Sequence, residues 1–337
     1  MRGQGPAPVG LRPRPGSEHW PVVSGCNAVV GAFEMASSNP RSRVLVAYLV
    51  LTLASLFWAG NSTIVRAMRD DVSPITLSFW RWFLAVAVLM PFVWTEIRRE
   101  WPAIRRSAKT IIWCALLGTS LQSALTFWSL QYTVALHVQI FNSTIPLAVM
   151  GAVWLLDGAR PTRKELGGFL ISGLGVIVII CHGDLMRVVR LDFNLGDIGA
   201  LSSMLIWGVY AALVKRCPRE LSPYGLAFIT GLAGVLMIAP LHMVEIVQNP
   251  GVLAFSPQVL IVIAYTGLLT SLLATVFLNI GVQRVGSSRA AIFTHLVPVF
   301  GACMSVGLLG EEFGWHHATG FALVLAGVVV CNRMPLR

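Results

Sequence analysis

Residues 127–178 read FWSLQYTVALHVQIFNSTIPLAVMGAVWLLDGARPTRKELGGFLISGLGVIV, and this stretch decides the fold because the chain contains it twice. Apolar residues would match by chance in any hydrophobic chain, whereas proline and glycine at constant spacing would not. The repeated positions lie 152 residues apart: Pro146, Gly158, Gly168 and Gly175 return as Pro298, Gly310, Gly320 and Gly327. The sequence therefore contains an internal repeat, and every local interpretation starts from it.

The repeat continues upstream at a shift of 149 positions. The matching residues are Trp58, Ser73, Pro74, Phe79, Pro91, Gly118 and Thr126, which return as Trp207, Ser222, Pro223, Phe228, Pro240, Gly267 and Thr275. A three-residue insertion between Thr275 and Pro298 reconciles the two shifts. The predicted repeat units are residues 44–181 and 197–332, with residues 182–196 as the loop between them.

The composition predicts an all-α integral membrane protein. The 337 residues are 55% apolar and only 12% charged, whereas soluble domains carry roughly 25% charged residues. The apolar residues form blocks near twenty residues long, which span a bilayer core of roughly 30 Å as helices. Ten spans are predicted, at residues 44–65, 75–95, 110–130, 136–156, 166–181, 197–214, 224–244, 257–280, 289–309 and 316–332.

Two tails are predicted outside the ten spans. Residues 1–43 are rich in Pro, Gly and Arg and hold no apolar run long enough for a signal peptide, which predicts a disordered cytosolic tail. An alternative is that translation starts at Met35, directly before the first span. Residues 333–337 form a short cytosolic tail at the other terminus.

The distribution of basic residues orients the chain. With the N-terminus in the cytosol, the inner segments carry 20 of the 25 Lys and Arg residues and the outer loops carry four. By the positive-inside rule, both termini are predicted to face the cytosol, as in a multi-pass protein of the cell (inner) membrane. The net charge of +10 is explained by this topology and does not require a nucleic-acid partner.

The predicted repeat has a topological consequence. Each unit holds five spans, and an odd number of spans inserts the second unit upside down relative to the first. The charges agree, because the basic connection 96–109 corresponds to residues 245–256, which contain no Lys or Arg. Inverted repeats are a common construction of transporters, which bind the solute between the halves and alternate the side of access.

Several motifs resemble those of EamA-type members of the drug/metabolite transporter superfamily. They are Phe127-Trp-Ser-Leu-Gln131-Tyr132-Thr133 with Pro146, Gly196-Asp197 with Trp207-Gly208-Val-Tyr210, and Gly310-Glu311-Glu312 with Gly320 and Gly327. The resemblance covers about residues 44–332 and implies ten helices in two inverted halves that export or exchange small metabolites. The first half departs from the pattern at Asp157-Gly158, where the family often has Gly-Glu.

Arg81 is a candidate for binding an anionic solute. It is the one Lys or Arg well inside a predicted span, and no acidic residue lies in the middle of a span to balance it. A guanidinium group suits planar anions such as carboxylates. In the alternative interpretation, Arg81 reaches the outer interface or binds helix carbonyls.

Polar residues at the start of span 4 form a second candidate site, since Pro146 breaks the helical hydrogen bonds one turn before itself. The cluster comprises His137, Gln139, Asn142, Ser143 and Thr144. The repeat provides the same device with His295 just before Pro298. Transporters place ligands beside such kinks, although hydrogen bonds between helices would also account for these residues.

Aromatic residues recur with the repeat at Trp58 and Trp207, with Asn61 and Tyr210 one turn further on the same faces. They are predicted to line the solute cavity, where aromatic rings stack on amines or rings. Location at the membrane interface is the alternative. The weaker members of this set are Gln122, Thr126, Thr270 and Asn279.

Spans 5 and 10 are predicted to act as scaffold, because small residues at Gly168, Ser172 and Gly175 and at Gly320 and Gly327 favour close helix packing. The six cysteines are scattered and are predicted to pack rather than to bind zinc or form disulfides. His316 and His317 are interpreted as interfacial side chains. We find no catalytic constellation, metal site or cofactor motif.

The sequence thus predicts a transmembrane transporter that moves a small organic solute by alternating access, in efflux or exchange. If transport is coupled to protons, His137 or His295 must titrate, because no carboxylate is evident in mid-span. The alternatives are a membrane-embedded enzyme and a non-transporting scaffold or receptor. The predicted partners are the solute and the lipid bilayer, and a homodimer is left open.

Overall fold

The computed structural model describes residues 40–158, 162–180, 184, 194–214, 216–218, 220–253, 256–285, 293 and 296–332. This part of the chain is helical and contains no strand. The first group of helices is α1 (Pro40–Ala67), α2 (Pro74–Arg99), α3 (Trp101–Arg106), α4 (Ala108–Cys114), α5 (Gln122–Tyr132), α6 (Ala135–Asn142), α7 (Ile145–Asp157) and α8 (Arg163–Ile180). The second group is α9 (Leu195–Val214), α10 (Pro223–Gln248), α11 (Pro257–Ala264), α12 (Ala274–Val285), α13 (Leu296–Leu309) and α14 (Trp315–Asn332).

Two π-helical segments join neighbouring helices without interrupting them. Segment π1 (Ala115–Leu121) lies between α4 and α5, and segment π2 (Tyr265–Leu273) lies between α11 and α12. A short 3₁₀ turn, Pro250–Leu253, precedes α11.

In the described residues, six helical stretches are long and apolar enough to cross a membrane, and α4–π1–α5 and α11–π2–α12 each count as one of them. A seventh crossing is formed if α6 and α7, which meet at an angle of 52°, are taken together. The three other predicted spans fall on α8, α13 and α14. Large apolar side chains cover the outside of the bundle, among them Leu45, Leu155 and Val247, which are 71%, 79% and 78% exposed. Apolar helices with an apolar exterior identify a multi-pass membrane protein.

The starts of α2 and α10 are built alike, as the repeat predicts. Ser73 and Ser222 are extended N-caps whose hydroxyls accept the amide hydrogens of Thr76 and Gly225, and each is followed by a proline in the first turn. A serine N-cap with proline at the next position satisfies the free amides and presets the helical φ angle.

Helices α2 and α10 run antiparallel, and each ends on the start of the other. Glu96, near the end of α2, accepts hydrogen bonds from the amide and the hydroxyl of Ser222 at 2.5 and 2.8 Å. Glu245, near the end of α10, accepts a hydrogen bond from the Thr76 hydroxyl at 2.8 Å. Glu96 and Glu245 are separated by 149 positions, so the contacts are reciprocal between the predicted repeats.

Helices α8 and α14 pack through their glycines. A side chain at Gly175 would overlap the backbone at Gly320, and one at Gly327 would overlap the backbone at Gly168 and Ser172. Gly320 and Gly327 are the repeat equivalents of Gly168 and Gly175, so the first glycine of each helix packs on the second glycine of the other. Two antiparallel copies of one helix are expected to pack in this way. This close approach is the helix packing that the small residues of the two predicted spans favour.

Polar contacts distinguish two ends of the bundle. At one end, which we call the histidine end, His137, Asp197 and His317 meet. At the opposite, arginine end, Arg216 binds Asp157 and Arg106 lies 3.9 Å from Glu220. Buried Phe127, Leu136 and Phe141 belong to the apolar core between α5, α6 and their neighbours.

Candidate functional site

Four of the residues predicted to bind solute lie in or against π1 and π2, namely Trp58, Arg81, Tyr210 and Thr270. Shifted by 149 positions, π1 corresponds to residues 264–270 and so overlaps π2. π-Helical segments occur preferentially at functional sites, since the extra residue displaces side chains and frees carbonyls. Sequence reasoning missed both segments, and the only signal for them was the recurrence of Gly118 as Gly267.

Helix α1 meets π2 through Trp58 and Gly60. The Trp58 indole donates to the carbonyl of Thr270 at 3.1 Å, and the Tyr265 hydroxyl donates to the Phe57 carbonyl at 3.1 Å. Gly60 leaves the space that Tyr265 fills, since a Cβ there would overlap the tyrosine hydroxyl. The structure thus brings Trp58 and Thr270 together, and Tyr265 is a neighbour that the sequence analysis did not single out.

Arg81 lies inside the bundle against α5 and π2. Its guanidinium carbon lies 5.1 Å from the ring centre of Trp82 and 5.3 Å from that of Phe127. One terminal nitrogen is 3.5 Å from the Ser123 hydroxyl, and Nε is buried without a hydrogen-bond partner in the described part of the chain. Its backbone carbonyl faces Gly267 of π2. The guanidinium group is held by aromatic faces and lies beside no carboxylate partner among the described ion pairs.

Tyr210 covers π1 from α9. Its ring lies directly over Gly118, where a Cβ would overlap it, and its centre is 4.9 Å from the ring of Trp207. Trp207 and Tyr210 therefore form one aromatic pair, and its Tyr210 ring packs on the π-helical turn. Their repeat equivalents Trp58 and Asn61 lie on α1. The side-chain amide oxygen of Asn61, Oδ1, is buried without a hydrogen-bond partner in the described residues.

The break between α6 and α7 lies at Ser143 and Thr144, and Pro146 is the second residue of α7. Gln139 precedes it, fully buried, and donates to the Ala59 carbonyl at 2.6 Å while its own Oε1 finds no partner among the described residues. Asn142, the last residue of α6, is half-buried. Thr144 donates to the Phe141 carbonyl of its own chain segment.

The remaining predicted site residues divide between described and undescribed parts of the chain. Gln122 donates to the Thr126 hydroxyl at 3.1 Å on the same helix. Asn279 belongs to α12, and Pro298 lies buried in the first turn of α13. His295 lies outside the described residues, as does the backbone directly before it.

A polar cluster at the histidine end was not predicted. His137 Nδ1 lies 2.8 Å from Asp197 Oδ1, and the Thr133 hydroxyl donates to the same oxygen. His137 Nε2 lies 3.1 Å from His317 Nε2, and the amide of Gly314 donates to His317 Nδ1 at 3.0 Å. The side chains of His137, Asp197 and His317 are buried, at 3%, 1% and 4% exposure.

This cluster corrects the interpretation of His317 and adds a carboxylate beside His137 that the sequence analysis did not consider. His317 is not an interfacial side chain, because it lies under the end of the bundle and contacts a histidine 180 positions away. A carboxylate does lie beside the candidate proton carrier His137, namely Asp197 in the first turn of α9. The sequence analysis looked for carboxylates in mid-span and did not consider the one at the start of α9, whereas burial depends on the helices that surround that end.

Further contacts tie the histidine end together. Glu311 accepts the amide hydrogens of Ala135 and Leu136 at the start of α6, each at 2.8 Å. Arg66 donates to the carbonyl of Leu130 at 2.5 Å and to that of Gln131 at 3.1 Å. In contrast, Asp157, at the corresponding loop of the first half, is bound by Arg216 at the arginine end.

Within the described residues no group of three or more His, Cys, Asp and Glu side chains has the arrangement of a metal site. Cys114 and Cys217 are buried with their sulfurs 3.7 Å apart, and both are free thiols. A cleft of about 590 Å³ opens at the histidine end and is lined by residues 69–74, Gln131 and residues 248–251. The cleft lies between the start of α2 and the end of α10 and not at the π-helical segments.

Comparison with known proteins gives consistent matches over almost the whole described chain. The model of the EamA-like transporter family matches residues 45–181 and 194–333. An uncharacterized transporter of Archaeoglobus fulgidus is 26% identical over 281 residues, which are 83% of this chain and 95% of that protein. A probable terminal-alkyne amino-acid exporter of Streptantibioticus cattleyicolor is 26% identical over 293 residues, 86% of this chain and 93% of that protein. A solved crystal structure shares the fold with a TM-score of 0.54 at 19% identity, over 85% of this chain and 96% of the other.

Proposed function

The chain belongs to the EamA-like transporter family, and on that premise we propose that it is a secondary transporter that moves a small organic solute across the membrane by alternating access. Its relatives carry the names of transporters, and the described helices are those of a multi-pass membrane protein. We propose ten spans in two inverted halves, with α6 and α7 together forming the fourth span.

The observation that carries this proposal is the reciprocity of contacts between the two halves. Glu96 binds the start of α10, and its equivalent Glu245 binds the start of α2. Gly175 packs on Gly320, and Gly168 on Gly327. Two copies of one unit related by a two-fold axis in the membrane plane would make such paired contacts, and exchanging the conformations of the copies moves the opening from one side to the other.

The proposed solute site lies between the two π-helical segments and the break after Asn142. It offers the Arg81 guanidinium on one side, and the unpartnered amide oxygens of Asn61 and Gln139 on the other helices. The aromatic rings of Trp58 and Tyr210 close it against π2 and π1. A guanidinium group binds carboxylates, and amide oxygens accept hydrogen bonds from amines.

We therefore propose a solute that carries both a carboxylate and an amine, such as an amino acid. The name of the Streptantibioticus relative, a probable exporter of an amino acid, supports this chemistry and the direction of efflux or exchange. The excess of Lys and Arg in alternate loops supports a position in the cytoplasmic membrane with both termini in the cytosol.

Counterflow in proteoliposomes tests the proposal. Vesicles preloaded with an unlabelled solute should accumulate the same labelled solute from outside, and we expect this for one or more amino acids rather than for sugars or nucleosides. Arg81→Gln should reduce counterflow by at least tenfold, since a charge-assisted bond to a carboxylate contributes about 1.5–3 kcal/mol. Arg99→Gln, on an exposed side chain bound to Glu100 at the arginine end, is the matched control and should leave the rate unchanged.

Absence of counterflow for every solute in a panel of amino acids, amines, sugars and nucleosides would argue against a carrier. Counterflow that is unaffected by Arg81→Gln would keep the carrier and remove Arg81 from the solute site. Folding of each variant is checked by its elution as one species in detergent.

A further inference from the structure

The histidine end contains a continuous chain of hydrogen-bonding groups that solute binding does not use. It runs from the Gly314 amide through His317 and His137 to Asp197, with successive separations of 3.0, 3.1 and 2.8 Å. His137 stands on α6 of the first half, whereas Asp197 on α9 and His317 on α14 belong to the second. The chain therefore crosses between the two halves twice.

The positions of the hydrogens follow from its ends. The Gly314 amide can only donate, so His317 Nδ1 accepts and the proton of a neutral His317 is on Nε2. His317 Nε2–H then donates to His137 Nε2, and the proton of a neutral His137 is on Nδ1, where it is donated to the Asp197 carboxylate. These three contacts fix the tautomers of two neutral imidazoles, with the proton of His317 on Nε2 and that of His137 on Nδ1, beside the Asp197 carboxylate.

An additional proton disturbs this arrangement. On His137 Nε2 it faces the N–H of His317 across 3.1 Å, so that two donors oppose each other between α6 and α14. On His317 Nδ1 it faces the N–H of Gly314. The second carboxylate oxygen, Asp197 Oδ2, is buried without a partner in the described residues, so a proton there gains no acceptor.

We propose that Asp197, His137 and His317 form the proton-binding site of this transporter, and that proton uptake opens the histidine end by breaking the contact between His137 and His317. The inference rests on the proposed carrier function and deepens it, since it names the coupling ion and the contact through which the ion acts. Of the two histidines that the sequence analysis suggested for coupling, it uses His137, joined by Asp197 and His317.

Other charged and titratable side chains surround Asp197, His137 and His317, which we call the relay. Glu311 binds the two amides that precede His137 on α6, Arg66 reaches the carbonyls at the end of α5, and the ring of His316 lies 4.0 Å from that of His317. Glu311 could also respond to pH, because its protonation would weaken the cap on α6. The experiment therefore includes a variant at Glu311.

The test measures opening of the histidine end without any solute. Ser143 is buried at the break below α6, on the membrane side of the relay, and Ser143→Cys is a nearly isosteric reporter in the full chain with its six native cysteines replaced by alanine. The rate of labelling by a membrane-impermeant thiol reagent is measured from pH 8 to pH 5.5, a range that spans the ordinary titration of imidazole. Each rate is divided by that of the same protein unfolded in detergent at the same pH, which removes the change in thiolate fraction.

We expect the normalised rate to rise about tenfold on acidification, as the loss of one buried hydrogen bond would allow. The rise should occur only in the vesicle orientation in which Asp71→Cys, an exposed position at the histidine end, is also labelled. His317→Gln should abolish the rise, because the amide can accept or donate toward His137 and takes up no proton. His316→Gln is the matched control at the neighbouring position and should retain it.

Equal labelling at pH 8 and pH 5.5 in the reporter protein would overturn the inference. A full pH response in His317→Gln would also overturn it. A response that is lost in Glu311→Gln but kept in His317→Gln would identify Glu311 as the pH sensor instead. Because no solute is involved, the outcome is separate from the counterflow result. Counterflow together with pH-independent labelling would support the carrier function and reject the proton-binding site. A pH response of labelling without counterflow would support the proton-binding site and argue against the carrier function.

Discussion

At the scale of single residues, glycines decide how closely aromatic rings approach the π-helical segments. Gly118 lies under the ring of Tyr210, and Gly60 lies under the hydroxyl of Tyr265. Neither glycine has a positive φ angle in the structure, so the requirement is for space and not for backbone conformation. The two tyrosines lie between the halves, and the missing side chains allow them to do so.

We expect Gly118→Ala to destabilise the protein by about 1–3 kcal/mol, because the new methyl group overlaps Tyr210 and forces the ring or the helix to shift. The control is Gly151→Ala on α7, where a Cβ meets no atom within 4 Å. Alanine there should be neutral or stabilising by up to about 1 kcal/mol through its higher helix propensity. Thermal unfolding in detergent measures both changes, and equal midpoints for the two variants would contradict the prediction.

At the scale of the helix, the clearest feature is the reciprocal clamp between α2 and α10. Glu96 is 7% exposed and accepts two hydrogen bonds from Ser222, the N-cap of α10. A carboxylate at a helix N-terminus is stabilised by the free amides and by the helix dipole. The clamp fixes the register of the two antiparallel helices at both of their ends, since Glu245 makes the corresponding contact with Thr76.

Glu96→Gln should lower the free energy of unfolding by about 1–3 kcal/mol, because the amide group presents one acceptor where the carboxylate presented two and leaves a buried partner unsatisfied. Glu220→Gln serves as the control in the same region, since Glu220 is 52% exposed and lies 3.9 Å from Arg106. Exposed ion pairs contribute roughly 0–1 kcal/mol. The changes are measured by thermal unfolding of both variants and the parent protein. An equal loss of stability in Glu220→Gln and Glu96→Gln would refute the clamp.

The break between α6 and α7 is also a property of elements. Pro146 removes one amide donor, and the structure has the helix restart at Ile145 after a bend of 52°. The proline made a break at this place predictable. The direction of the bend depends on α14 and α9, since α6 is placed so that His137 contacts His317 on α14 and Asp197 on α9.

At the scale of the whole molecule, the two proposed halves predict on which face of the membrane each loop lies. Five spans in each proposed half would place equivalent loops on opposite faces of the membrane. Asp71 and Glu220 are separated by the repeat shift of 149 positions, and both are exposed in loops. One lies at the histidine end beside the start of α2, and the other lies at the arginine end before α10.

Single-cysteine variants Asp71→Cys and Glu220→Cys, in the chain without its native cysteines, should be labelled from opposite sides of the membrane. In intact cells an impermeant thiol reagent should reach only Asp71→Cys, because the positive-inside rule places the arginine end in the cytosol. Inverted vesicles should reverse the pattern. Labelling of both variants from one side would refute the inverted arrangement, and with it the proposed two-fold and the site between the halves.

The sequence by itself determined that this is a helical membrane protein, and it predicted that the helices form two repeated units. That information is local, since hydropathy over twenty residues and Pro and Gly at fixed spacing can be read without knowing which helices are neighbours. It also indicated Arg81, Gln139 and the break before Pro146, because a charge, a polar group or a proline inside an apolar helix is unusual wherever the helix lies.

Only the tertiary structure decided which polar residues meet. Asp197 and His317 stand at the ends of their helices, where sequence predicts contact with water or lipid head groups, yet both are buried against His137 because three helices converge there. The π-helical segments depend in the same way on the rings that pack against Gly118 and Gly60. Burial and hydrogen-bond partners are properties of pairs of helices, and no pattern within one helix contains them.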